Sequence, residues 1–388
     1  MMASSGDKRK LRIAFDARAA ARPNKAGVGY YASSVIQALN DHYGDRVELV
    51  GHYYQSAGQP DLAPPIGKAI SYRVSRILPE KLVNLLRRMH IEIPFEFLVG
   101  TKADVFFFPD FLTHPSSHHT PTVVTIHDTA YLAMPETVSP RNRDDLTRFV
   151  PASIHRAQIV TTISNASREQ LIEAYRTDKP IVVTHLAPTV PAKDPRGLQR
   201  LAEINLHGRF ILFTGTLEPR KNIEGLIKAY RALPDNLRQE YSLVLAGGSG
   251  WNNQGIEKAI EKARAAGEHV ITPGYVDAPL RQALFEAATL FVWPSFNEGF
   301  GMPPLEAMAA GTPVLVSDIP VLKEVCGTAA AYCDPHDPKD IAKHMQKLLQ
   351  DSGARKRLSA EGAKHARQFS WEKVAQVLFE SFQAAAKK

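Results

Sequence analysis

Short apolar runs recur along the first half of the chain at Leu11–Phe15, Val47–Val50, Val105–Phe108, Val123–Ile126, Ile159–Ile163 and Ile181–Val183. Continuous apolarity over so few residues reads as strands covered on both faces. The first run leads into a glycine-bearing loop at Ala26–Gly29 and a helical run from Tyr30 to Leu39, a strand-loop-helix opening. Pro188, Pro191 and Pro195 then interrupt the pattern in a polar stretch that reads as a linker. A second series follows. Phe210–Phe213 predicts a strand, Asn222–Ala232 a helix, and Tyr241–Ala246 a strand ending in Gly247 and Gly248; Val270–Thr272, Leu290–Trp293 and Pro313–Val316 continue it. Strands alternating with helices predict parallel sheets wrapped on both faces, with ligands outside the carboxyl ends of the strands. The expected organisation is therefore an α/β protein: a disordered leader at 1–10, a Rossmann-like domain at 11–187, a linker at 188–207, a second Rossmann-like domain at 208–370, and a final helix at 371–388 that crosses back to the first domain.

Composition narrows the class. A chain of 388 residues, 44% hydrophobic and 22% charged, is ordinary globular protein and long enough for two domains. No stretch approaches the roughly 18 apolar residues of a membrane span. Met1–Lys10 carries charge without an apolar core behind it, so the chain reads as cytoplasmic. Its two cysteines, Cys326 and Cys333, are too few for a disulfide scaffold or a zinc site. The formal charge of +7 suits an anionic partner such as a nucleotide diphosphate, and a mildly basic solvated surface gives the same sum.

Two segments carry chemistry. In Pro294–Gly311 the strand Leu290–Trp293 runs into a glycine loop, Gly299, Phe300 and Gly301, and then into a proline-opened helix ending at Gly311. Such a loop leaves N–H groups and the positive end of the helix dipole free for an anion. Glu306 is expected in the first helical turn, where a carboxylate accepts from a ribose diol, and Glu298 on the loop, within reach of a sugar beyond the phosphates. Taken singly, each fits a dipole partner or a solvated charge equally well. The segment Thr214–Asn222 places Gly215 at a strand's carboxyl end and then Arg220 and Lys221 just before a helix, where cations oppose the dipole. A forked guanidinium beside a compact ammonium suits the charge that builds on a departing diphosphate.

The first domain is less explicit. Gly27 and Gly29 lack the full dinucleotide spacing and read as a loop of close approach. His127 follows the strand Val123–Ile126 on the ligand side of a sheet, with Asp128 placed to orient its ring, and Asp16 lies just past the first strand. The chain contains no D-x-D triplet, no H-E-x-x-H pairing and no legible Ser-His-Asp or Cys-His set, so no metal and no cofactor is expected.

Glu298 and Glu306 resemble the E-x7-E motif of the retaining glycosyltransferases of the GT-B fold, in the large group 1 family that includes bacterial O-antigen and lipopolysaccharide mannosyltransferases. Gly215–Asn222 resembles that family's phosphate-binding segment, and Phe369–Trp371 its entry to the C-terminal helix. The likeness runs from about Phe210 to the end, and more loosely from Phe15–Arg18 through Gly27–Gly29 to His127 and Asp128. It implies two Rossmann-like domains facing a central cleft, a nucleotide-sugar donor held by Arg220 and Lys221 at the pyrophosphate and by Glu306 at the ribose, and Glu298 with Gly299–Gly301 at the transferred sugar. His127 would project toward that sugar from the other domain. Transfer with retention, GDP-mannose as donor and a polyprenyl-diphosphate-linked saccharide as acceptor follow from the same likeness. UDP-glucose or another UDP-hexose, or a GT-B-like nucleotide-sugar epimerase, remain open beside it.

Residues 79–90 read as a helix with Leu82, Leu85, Leu86 and Met89 on one face and Lys81, Arg87 and Arg88 on others, preceded by Lys68, Arg73 and Arg76. This fits either a helix packed on its own domain or, through 68–90, a peripheral contact with an anionic membrane on its cytoplasmic side. No nucleic-acid partner is expected.

Overall fold

The computed structural model describes residues 9–22, 25, 27–55, 64, 67–76, 78–189 and 196–387. Most of the expected leader, Ala26, and the linker residues Pro191 and Pro195 lie outside them. The chain divides into two compact units, the first built from the described residues of 1–129, 144–186 and 371–388, the second from those of 130–143 and 187–370.

The first unit is wound on seven strands: β1 (Leu11–Asp16), β2 (Val47–Tyr54), β3 (Ile70–Ser75), β4 (Val105–Phe108), β5 (Thr122–Thr125), β6 (Ile159–Thr162) and β7 (Ile181–Val183). They pair in parallel in the order β3-β2-β1-β4-β5-β6-β7. Every residue of β4, β5 and β6 is buried, the reason these strands read as unbroken apolar runs. The edge strand β3, by contrast, alternates exposed Ser71 and Arg73 with more covered neighbours and gave no such run. Strand β2 runs four residues further than its apolar pattern, because buried His52 finds a partner in Ser75 Oγ of β3 at 2.8 Å.

The second unit carries β8 (Arg209–Thr214), β9 (Tyr241–Ala246), β10 (Val270–Gly274), β11 (Leu290–Trp293), β12 (Val314–Ser317) and β13 (Ala331–Cys333), parallel in the order β10-β9-β8-β11-β12-β13. This is the doubly wound order that reverses between its first and fourth strands. The crevice at that reversal is flanked by the loops that leave β8 and β11.

Three expectations change. Gly27 and Gly29 open the helix Gly27–Tyr43 rather than forming a loop. A Cβ on Gly29 would stand 2.9 Å from the Ala19 carbonyl oxygen, so glycine is there for close packing of the helix start on the preceding turn. The linker expected at 188–207 contains a helix, Gly197–Glu203, which packs on the helix Ala278–Ala287 and joins it through Arg200 and Asp277 at 2.9 Å. Residues 130–143 group with the second unit, away from the domain assigned to 11–187. The C-terminal helix Trp371–Ala386 packs within the first unit: Phe379 stacks on Tyr43 at 4.5 Å with the Arg46 guanidinium near both rings, and fully buried Phe382 meets Phe107. Among the described residues no helix is long and apolar enough to cross a membrane.

Candidate active site

The topological reversal of the second sheet places two loops side by side. After β8 the chain turns at Gly215, whose φ of +143° favours glycine, and Gly247 after β9 must be glycine because a Cβ there would lie 1.8 Å from the Gly215 carbonyl oxygen. A short 3-10 turn, Pro219–Lys221, then ends at Asn222 in the left-handed conformation, which starts the helix Ile223–Arg231. The Phe296 N–H donates to the Arg220 carbonyl at 2.9 Å and ties this turn to the loop after β11.

Arg220, Lys221 and Glu298 converge there. Lys221 Nζ lies 2.6 and 2.9 Å from the two Glu298 oxygens, and Arg220 reaches one of them at 3.2 Å. Arg220 also donates to the Asn297 carbonyl at 2.9 Å and pairs with Glu218 at 2.8 Å. Trp293 Nε1 and Ser295 Oγ donate to the same Glu298 oxygen at 3.0 and 2.6 Å, and Lys221 Nζ sits 4.7 Å above the Trp293 ring, itself stacked on Phe213. Glu298 is therefore no solvated loop charge: it is 7% exposed and buried among donors. Burial alone would raise its pKa, but Lys221 and Arg220 overcome this and hold it down at about 2. Burial and the neighbouring Arg220 lower the Lys221 pKa. Two cations are thus assembled against the helix dipole by a carboxylate. With Glu218 on Arg220 the cluster balances two cations against two carboxylates, a pre-organised charged site at the carboxyl edge of the sheet.

The loop after Glu298 feeds the helix Met302–Ala309 through Gly301, at φ +97°, where a Cβ would press on Leu322 at 2.6 Å. Phe300 is buried and packs near Phe369, its ring serving the core. Glu306 is the fifth residue of the helix and so lies in its second turn, not the first as expected. Helix dipole complementation does not explain it there. Its carboxyl is 4% exposed; Arg281 approaches Oε1 at 3.4 Å as an ion pair, and that oxygen makes no hydrogen bond. Burial raises its pKa from the ordinary 4.5 to about 7, against the opposing pull of Arg281 and the Thr189 N–H. A buried, half-satisfied carboxyl of this kind is rare in a purely structural role.

In the first unit His127 stands just past β5, 5% exposed. Its Nε2 donates to the Pro109 carbonyl at 2.8 Å, and the ring meets Tyr31 edge-on at 4.8 Å and Phe111 at 5.3 Å. The carbonyl, not Asp128, supplies the orienting bond; Asp128 and Asp110 act through their charge. Because Pro109 O only accepts, the proton is on Nε2, and burial lowers the pKa so that the ring is neutral. Tyr31 belongs to the helix that Gly27 and Gly29 open, which brings those glycines to the same sheet edge as His127. Asp16, at the end of β1, is locked to Arg18 at 2.6 Å, and this pairing outweighs burial to lower its pKa to about 2.

Of the two arrangements open for residues 79–90, the helix Glu80–Arg88 departs from the one that packs its leucines on its own domain. Val83 and Arg87 are buried, while Leu82, Leu85 and Met89 face outward. Arg87 donates to the Thr113 carbonyl and to His114 Nε2 at 3.3 and 3.2 Å, and Arg88 pairs with Asp145 at 2.6 Å.

Trp293, Ser295, Glu218 and Arg281 are site neighbours that motif reading missed. Ser295 stands three residues before Glu298, a spacing that offers a local signal; Arg281 comes from a separate helix and offers none.

Two doubly wound parallel domains, the second with a buried Arg-Lys-Glu cluster at its switch point, define the GT-B architecture of the glycosyltransferases. The model of the family "Glycosyl transferases group 1" matches residues 199–365. The chain belongs to that family: it is 36% identical over 282 residues to O-antigen chain mannosyltransferase B of Escherichia coli, covering 68% of this chain and 72% of that protein. It is also 34% identical over 240 residues to the serotype-specific mannosyltransferase WbdA of Escherichia coli, 60% of this chain but only 29% of that longer protein. Among solved structures, sucrose-phosphate synthase from Thermosynechococcus elongatus superposes with a TM-score of 0.72 at 18% identity, covering 97% of this chain and 99% of that one. At that identity the likeness speaks for the fold.

Proposed function

We propose that this glycosyltransferase moves mannose from GDP-mannose to a lipid-linked saccharide, with retention of anomeric configuration and without a metal. The buried Lys221-Arg220-Glu298 cluster carries the reading, supported by the mannosyltransferase relatives. In this account the acceptor hydroxyl forms its bond to the anomeric carbon as the bond to the diphosphate oxygen breaks, both on one face of the sugar. The hydroxyl proton passes to an oxygen of the leaving diphosphate, whose growing negative charge Lys221 and Arg220 meet. No protein nucleophile is required, in keeping with a Glu298 carboxylate already committed to Lys221, Arg220, Trp293 and Ser295. Glu306 accepts from the ribose diol through Oε1, which Arg281 approaches without a hydrogen bond, and the backbone of Gly299–Gly301 approaches the transferred sugar. We also assign His127 to the transferred sugar: its Nε2–H is engaged by the Pro109 carbonyl, which leaves Nδ1 to accept from a sugar hydroxyl. The lipid-linked acceptor places the work at the cytoplasmic face of a membrane.

The test is incubation of the full chain with GDP-mannose, UDP-glucose and other nucleotide-sugars, each with a mannosyl acceptor, before and after EDTA. Turnover of GDP-mannose, unchanged by EDTA and giving an α-linked product by NMR coupling, is the expected result. Turnover of UDP-sugars alone would overturn the donor, inversion the stereochemistry, and activity restored only by Mn²⁺ the metal-free chemistry.

A further inference from the structure

Among the described residues nine large hydrophobic side chains are exposed, and five of them, Leu82, Leu85, Met89, Ile91 and Phe97, fall within one short segment of the first unit, Phe97 being 74% exposed. Leu82, Leu85 and Met89 stand at i, i+3 and i+7, one face of the helix Glu80–Arg88 and the turn that ends it. The opposite face fixes that orientation. Glu80 meets Arg18, Arg87 is held by Thr113 and His114, and Arg88 by Asp145. The helix cannot roll its apolar side inward without stripping these charges of their partners.

The charge along the same stretch of chain is predominantly positive. Between residues 68 and 102 the exposed charged side chains among those described are Lys68, Arg73, Arg76, Lys81 and Lys102, all cations. The acids of the same span, Glu80, Glu92 and Glu96, are partly covered and turned onto Arg18, Arg156 and Ser116. Arg73 lies on β3, against which the short helix Phe95–Val99 packs, and Lys81 lies on the ridge helix itself. An apolar strip rimmed mainly by cations, with exposed Asp144 near Arg88 as a carboxylate at its margin, matches the boundary of an anionic bilayer, where side chains enter the acyl edge and ammonium and guanidinium groups meet lipid phosphates. A second copy of the chain fits it poorly, since a two-fold contact would bring the same cations together.

We propose that this ridge, Leu82 to Phe97 with its cationic rim, seats the first unit on an anionic lipid bilayer. It deepens the lipid-linked acceptor reading and assigns the contact to the apolar face, leaving Arg87 and Arg88 as internal ties rather than lipid-facing charges.

The test is flotation of the full chain with phosphatidylcholine vesicles that contain or lack phosphatidylglycerol. Wild type is expected to float with the anionic vesicles at low salt and less at high salt. Leu85→Asn with Phe97→Asn should lower partitioning at least tenfold, and Arg73→Gln with Lys81→Gln should lower it about fivefold per cation. Unchanged melting and unchanged turnover of a water-soluble acceptor show that the variants are folded. Wild type that stays in solution at low salt overturns the proposal, as do variants that float like wild type. Self-association in the absence of vesicles that the apolar pair abolishes would assign the ridge to a second copy instead. Flotation needs no turnover: docking without mannosyl transfer leaves the surface standing and removes the donor assignment, and transfer without docking does the reverse.

Discussion

Lys221→Ala is expected to lower kcat/KM by about 100- to 1000-fold, the loss typical of removing one group that stabilises charge on a leaving oxygen. Lys221 is the most enclosed cation of the site, 8% exposed and bonded to both Glu298 oxygens. Its alanine variant should still fold, because Arg220, Trp293 and Ser295 continue to satisfy Glu298. Glu298→Ala differs in kind. It leaves Lys221 buried without its counter-charge and should destabilise the fold by about 3–5 kcal/mol, the usual penalty for breaking a buried pair from one side. The double replacement Lys221→Met with Glu298→Ala should recover part of that stability and none of the turnover. Urea unfolding and steady-state kinetics on the same preparations check both halves. Wild-type turnover by folded Lys221→Ala, or a Glu298→Ala protein as stable as wild type, would remove the cluster from the mechanism.

The second large effect belongs to Glu306 and depends on pH. Its folded pKa is raised from 4.5 to about 7, so the folded state favours the protonated acid. That preference is fully present below about pH 4.5 and is lost as pH rises through 7. Glu306→Gln, which keeps the neutral shape at every pH, should therefore gain stability over wild type across this window, approaching roughly 3 kcal/mol where the carboxyl is fully ionised in wild type. In the proposed ribose contact the ionised form accepts the diol, so the wild-type KM for donor should rise as pH falls below about 7. The Gln variant should show a higher KM without that slope. A stability difference flat between pH 5 and pH 8 would show that the carboxyl is not held neutral, and a donor KM unaffected by the substitution would remove Glu306 from the donor site.

How far the residues announced this site varies with the physical cause of each contact. Arg220, Lys221, Glu298 and the Gly299–Gly301 loop stood out because cations before a helix and a glycine loop after a strand are local arrangements with local signals. The burial of Glu298 had no such signal, since it arises where β8 and β11 become neighbours although their loops are nearly 80 residues apart in sequence. Glu306 was displaced by one helical turn because prolines at two successive positions leave the helix start open by a residue or more. The helix expected at 79–90 spans Glu80–Arg88, and which way its apolar face turns was left open between two readings, because periodicity names an apolar face but not the side on which the protein lies. There the charged Arg18 and Asp145, the Thr113 carbonyl and the His114 ring, contributed by distant segments, decided.

By itself the sequence determined the alternation of strand and helix, the parallel doubly wound class, and the loops that carry the cations and carboxylates, because hydrophobic period, glycine and proline act over a few residues. Tertiary structure alone decided which of these groups meet, how deeply they are buried and therefore how they titrate. Those properties follow from strand order and from the desolvation it imposes, and no local stretch of chain encodes them.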